Sequence, residues 1–194
     1  MDKSMLLEKL QNSLRDAFQE CISSNYSKPR LFHAARSKAW VKNIAASFRE
    51  EYVQTEYRVF SADYSNNRSE FKLNELLFDI SVVNVKSIPS ASNKKQLIYV
   101  NKMEWAIESE FQRSDSRASI IDFSKLAMAR SENKLLILSQ SKSIKNWALS
   151  ILSGAVPEDG DNYFLAFVPH PESWDEDMKV ELYSHGKDGW EARS

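Results

Sequence analysis

Apolar residues recur with a helical period through the first fifty positions. Leu7, Leu10, Leu14, Ala17, Phe18 and Cys21 line one side of a helix over residues 3–23, which SSNYSKPR interrupts. Trp40, Val41, Ile44, Ala45, Phe48 and Tyr52 line a second over about 34–52. The pattern then turns β-like. EYRVFSADYS, LNELLFDISVVNVKSI and KKQLIYVNKMEWAIESEF read as three strands, separated by the turn-forming stretches SNNRSE and PSASN, and together predict a three-stranded antiparallel meander. After it, Ser119 to Asp122 has capping-box spacing, and Ile120, Ile121, Phe123, Leu126 and Ala127 carry on as a helix. ENKLLILSQ suits a short buried strand. Ser141 or Ser143 starts a further helix through Ile144, Trp147, Ala148, Ile151 and Leu152, closed by Gly154. NYFLAFVPHP and KVELYSH read as strands, and HGKDGWEARS as a loose tail. The order αα-βββ-α-β-α-β-β predicts an α/β layered domain, with a mixed central sheet flanked by helices.

Strand alternation gives the second and third strands a second property. In NELLFDISVV, Leu76, Phe78, Ile80 and Val82 fall on one face, and Glu75, Leu77 and Asp79 on the other. In MEWAIESEF, Trp105, Ile107 and Phe111 share the apolar face, opposite Ala106, Glu108 and Glu110. Three or four carboxylates are thereby expected on one surface. Side-by-side anions repel, and a hard divalent cation such as Mg²⁺ takes oxygen ligands, so the pattern reads as a metal site. Asp79, inside the apolar run LLFDIS, is costly without a cation or hydrogen-bond donors.

Composition narrows the classes. The 194 residues, 42% hydrophobic, suffice for one full core. No stretch has the roughly 18 consecutive apolar residues of a membrane span, and MDKSMLLEKL is amphipathic rather than signal-like, so a soluble, cytoplasmic protein is expected. The one cysteine, Cys21, excludes an internal disulfide and any Cys-rich zinc site. The formal net charge of −1 is unevenly spread: residues 154–194 carry −7 and the first 153 carry +6. A basic body with an acidic end favours a nucleic-acid partner. There is no GxGxxG, no GxxxxGK[ST] and no GxSxG, and His33, His170 and His185 are far apart in sequence. Dinucleotide, NTP and serine-hydrolase chemistry therefore find no footing.

The order helix, three-stranded meander, helix, strand, with Asp79 on the second strand and Glu108-Ser109-Glu110 on the third, resembles the PD-(D/E)XK nuclease superfamily, the restriction endonuclease-like fold. The resemblance covers roughly residues 34–140, within one domain that has a helical N-terminal part over 1–53 and acidic strands and tail over 154–194. The first acid falls in Phe78-Asp79 rather than Pro-Asp, and Glu110 stands where Lys is usual, as in a variant with Glu-x-Glu in place of Glu-x-Lys. Asp122-Phe123-Ser124-Lys125-Leu126 looks like the helix start that follows the third strand in relatives, with Lys125 able to supply the missing cation.

The resemblance implies a Mg²⁺- or Mn²⁺-dependent endonuclease hydrolysing phosphodiesters, with DNA as partner and no membrane. Asp79 and Glu108 would be metal ligands, with Glu75 as an additional acid and the Ser109 carbonyl as a third oxygen. Glu110 or Lys125 would orient or deprotonate the attacking water. Arg36, Lys38, Lys42, Arg68, Lys86, Arg113 and Arg117 are the expected phosphate contacts. Two alternatives stand beside this reading: a catalytically inactive binding or regulatory protein of the same fold, and an RNase using the same acids. A homodimer or larger complex is compatible with each.

Overall fold

The computed structural model describes residues 3–22, 29–91, 95–111 and 116–193. Helices α1 (Lys3–Ile22) and α2 (Pro29–Glu51) lead into β1 (Tyr57–Ser61), a one-turn helix α3 (Arg68–Phe71), β2 (Ile80–Pro89) and β3 (Gln96–Glu110). Then follow α4 (Ser116–Met128), β4 (Ser131–Ser139), α5 (Lys142–Ile151), β5 (Asn162–Val168), β6 (Glu181–Gly186) and β7 (Gly189–Arg193). All seven strands form one sheet in chain order. β1–β2 and β2–β3 are antiparallel, β3–β4 and β4–β5 parallel, and β5–β6 and β6–β7 antiparallel.

The sheet is therefore seven-stranded and mixed rather than a three-stranded meander. Its antiparallel first part continues through two crossovers, α4 and α5, because parallel neighbours need a helix-length return. The apolar sides of both helices pack on the same sheet face, as expected when successive crossovers of one hand advance the sheet in one direction. That layer joins Phe123, Leu126, Ile144 and Ala148 to Ala106, Leu136, Leu138, Leu165 and Phe167. The opposite face carries α1 and α2, whose Leu6, Leu10, Leu14, Trp40, Ile44 and Phe48 pack with Ile80, Val82, Trp105, Ile107, Leu135, Ile137 and Phe164. β4 and β5, covered on both faces, are nearly unbroken apolar runs. Gln11 of α1 donates to the Met178 carbonyl (3.0 Å) and accepts from the Val180 N–H (2.9 Å), tying the first helix to the approach to β6.

Several local expectations change. SNNRSE contains α3 rather than only a turn, and the tail forms β7, paired with β6 around a two-residue loop. Ser119 and Asp122 lie inside α4 rather than at its start, so they form no capping box. Ser141 does cap α5, accepting from the Ile144 N–H. No helix is long and apolar enough to cross a membrane, among the described residues.

Candidate active site

β2 begins only at Ile80, because the chain before it is bent at Leu77. Leu77 has φ +67°, and the Phe78 N–H donates to the Leu76 carbonyl at 2.8 Å, a hydrogen bond two residues back that closes a strained γ-turn. The buried Ser81 hydroxyl donates to the same carbonyl and holds the turn in place. The face expected to unite Leu76, Phe78, Ile80 and Val82 is broken as a result. Ile80 and Val82 pack with α1 and α2, Phe78 packs with α4 and α5, and Leu76 joins a small cluster around Phe60 and Val83.

Asp79 is the last residue before the strand. With Ile80 opposite Ile107, its carboxylate lies where the ladder would continue, and Oδ2 accepts the Ser109 N–H at 2.9 Å. On β3, Trp105 and Ile107 face α1 and α2, as the alternation predicts, while Ala106 packs on the α4 and α5 side, where Glu108 meets Lys125 of α4. Lys125 Nζ lies 2.5 Å from Glu108 Oε1 and 2.8 Å from Asp122 Oδ1. Glu108 is only 3% exposed, so its charge is nearly cut off from water. Its Oε1 has no aligned hydrogen-bond donor, which makes the contact with Lys125 an ion pair rather than an oriented hydrogen bond.

The electrostatics follow from this crowding. Burial, with the neighbouring Asp79 and Asp122 charges, pushes Glu108 up to about 7 against the pull of Lys125. Asp79 is raised as well, chiefly by burial and further by Asp122 and Glu75, while the Ser109 N–H and Lys125 work the other way. Burial opposes the charge of Lys125, but its close contacts with the Asp122 and Glu108 carboxylates more than offset that and hold it above the ordinary lysine value. The site has more negative charge than Lys125 neutralises.

The structure thus brings Asp79, Glu108 and Lys125 together. Asp122, one turn before Lys125, belongs with them; its spacing to the lysine was the available signal. Glu110 follows two residues after Glu108, half-buried and opposite Leu138 of β4. Glu75 is exposed and acts on Asp79 through its charge. Ser109 engages Asp79 through its N–H, and its buried side-chain hydroxyl has no partner among the described residues. The expected convergence of three carboxylates is not formed: among the described residues, no three His, Cys, Asp or Glu side chains are grouped to hold a metal ion. The physical reason is that Lys125 reaches between Glu108 and Asp122 and takes the central position.

Of the basic residues expected at an interface, Lys38, Lys42, Arg68, Lys86 and Arg117 are exposed, Lys42 in an ion pair with Glu20. Arg36 is not available. It is 6% exposed, donates to the Pro171 carbonyl (2.5 Å) and stacks on Phe32, 3.9 Å from the ring centre. Arg113 lies outside the described residues. Comparison of the chain with family models, with curated proteins and with solved structures finds no match.

Proposed function

We propose that the chain is a metal-dependent nuclease hydrolysing phosphodiester bonds in DNA, of the PD-(D/E)XK kind. The observation that carries the reading is the half-buried Asp79 at the entry to β2, held by the Ser109 N–H beside the buried Glu108 of β3, whose charged form it disfavours, with Glu108 left carrying a buried oxygen that lacks an aligned donor. The element order α2–β1–α3–β2–β3–α4–β4 supports it, since, apart from the one-turn α3, the resemblance asks for a helix, three antiparallel strands, a helix and a strand.

The donor set fits a hard cation. Mg²⁺ keeps several of its waters and binds through one or two carboxylates plus substrate phosphate, so a two-acid site is sufficient. Asp79 and Glu108 would hold it, with the Ser109 carbonyl as a further oxygen. Bound there, the ion would supply charge stabilisation on the phosphate oxygens and acidify water. The chain's own residues do the rest. The Ser109 N–H fixes the Asp79 carboxylate, so one acid is aimed before substrate arrives. Lys125, bridging Glu108 and Asp122, would offer its ammonium to a phosphate oxygen, and Glu110, next on the same strand face, would accept the proton of the attacking water.

A second reading, a binding module without chemistry, is favoured by the central position of Lys125, which already supplies the cluster with a cation. The test is purified protein with plasmid, single-stranded DNA and RNA, in Mg²⁺, Mn²⁺ or EDTA, beside Asp79→Ala and Glu108→Ala. The nuclease reading expects metal-dependent cutting that falls about 100-fold or more in either variant, the scale of losing one stabiliser of developing charge, while DNA affinity stays equal or tightens. Cutting that persists in both variants removes the site from the mechanism. No cutting by the wild type with any metal leaves the binding module.

A further inference from the structure

Beside Lys125, and reaching Leu77 and Phe78 just before Asp79, lies a cleft of about 460 Å³, within the roughly 300–1,000 Å³ of small-ligand pockets. Its walls are mostly apolar, with Leu77, Val100 and Met128 among them. Among the described residues, Lys102, Lys125 and Arg130 are its charged lining, and no carboxylate lines it. We infer that this cleft receives one nucleobase, unstacked from a nucleic-acid strand, while the adjoining phosphates lie along the three cations toward the carboxylates; the inference rests on the nuclease reading for its orientation.

Three independent features point to such an occupant. The first is the display of apolar side chains. Met128 and Leu77, 78% and 75% exposed, are the two most exposed large apolar residues among those described, and both line this one cleft. Proteins seldom place such residues together in water without a partner. The second is strain. Leu77 is held at φ +67°, a conformation that suits glycine, by the γ-turn that Ser81 secures. Strain of this kind at a ligand-facing residue marks a side chain positioned for contact. The third is charge. Residues 80–103, which contribute Val100 and Lys102 to the wall, contain four lysines and no acid. Lys102 and Lys125 have carboxylate partners, whereas Arg130 is exposed and has no ion-pair partner among the described residues.

An apolar peptide would match the walls but not the cations, and a bare phosphate would match the cations but leave Leu77 and Met128 in water. A nucleotide matches both. Its base has two apolar faces that any large apolar side chain can cover, and its phosphate is an anion at a fixed short distance from the base. Base contact of this kind is tolerant of sequence, because every base offers a flat face.

The experiment measures binding in EDTA, so that no strand is cut. The probes are fluorescein-labelled single-stranded DNA and RNA 12-mers and DNA of the same length and phosphate number with abasic sugars, read by fluorescence anisotropy. Wild type is expected to favour the base-bearing strand by about tenfold, the scale of one stacked base. Leu77→Gly and Met128→Ser should bring that ratio close to one. Leu77→Gly should melt no lower than wild type, because glycine accepts the backbone angle, which separates lost contact from lost folding. Arg130→Ala should weaken both strands alike and leave the ratio intact. Equal affinity of wild type for the two strands, binding to neither, or a ratio unchanged by Leu77→Gly and Met128→Ser would each overturn the inference. Base preference without cutting in Mg²⁺ would retire the nuclease and keep the pocket; cutting without base preference would do the reverse.

Discussion

Glu108→Gln is expected to make the protein more stable above neutrality, even though it removes a central acid. The folded-state pKa of Glu108 is raised from 4.5 to about 7, so the folded protein holds that proton more tightly than the unfolded chain does. Its contribution is complete below pH 4.5 and is lost as pH rises to about 7. The gap of about 2.5 pH units, at 1.36 kcal/mol each, amounts to about 3 kcal/mol of destabilisation at pH 8. Glutamine keeps the volume, still offers an oxygen to Lys125, and has no charge to bury. For a chain of this size 1 kcal/mol moves Tm by about 2–4 °C, so the variant should melt about 6–12 °C above wild type at pH 8 in EDTA. The advantage should shrink steadily and vanish near pH 4.5. Adding Mg²⁺ should raise wild type and leave the variant unmoved, since binding to the native state adds stability only where a site remains. The assay is a set of thermal melts of both proteins between pH 4.5 and 8.5. A variant no more stable than wild type at pH 8, or a difference that does not change with pH, would refute the reasoning.

Lys134 is 1% exposed and bonds Asp159 (3.0 Å), Asp161 (2.7 Å) and the Tyr163 hydroxyl (2.8 Å), so Lys134→Met should strand two carboxylates and lower stability by about 3 kcal/mol, read as a fall in denaturant midpoint; an unchanged midpoint would contradict it. Arg36→Met should lower stability by about 1–3 kcal/mol through the lost Pro171 bond and ring contacts while leaving DNA affinity unchanged, and a folded variant that binds DNA several-fold more weakly would return Arg36 to the interface.

The layered α/β arrangement was legible because its elements carry clean periods, and the buried parallel strands are almost pure apolar runs. Asp79 was legible for a different reason, since a carboxylate amid apolar neighbours demands partners; Glu108 follows from strand alternation, and Lys125 enters only through the resemblance. What the sequence hid was geometry carried by the backbone. Nothing in the residue type of Leu77 announces a positive φ, so the alternation seemed continuous where the turn in fact sends neighbouring side chains into three clusters. SIID resembles a cap and so puts the start of α4 too late, whereas the spacing of Asp122 and Lys125, three residues apart, is that of the ion pair they form. Arg36 read as a surface cation because its helix carries polar residues on several sides, and only the packing of Phe32 and Trp174 around it shows otherwise. β7 did have a signal, Asp188-Gly189 between two short strands, with Gly189 at φ +107°.

The bonds from Gln11 to Met178 and Val180 bear on how the protein is made. Synthesis delivers α1 first and its partners on the approach to β6 some 167–169 residues later. At about 5–20 residues per second, that is a delay of roughly ten to thirty seconds. During it α1 and α2 can pair locally, through Glu20 with Lys42 and Asn43, but the apolar side they turn to the sheet waits uncovered. The nascent chain therefore presents a sticky helical hairpin to the ribosome exit and to any chaperone there, and its yield in a cell depends on shielding that hairpin until the last strands arrive.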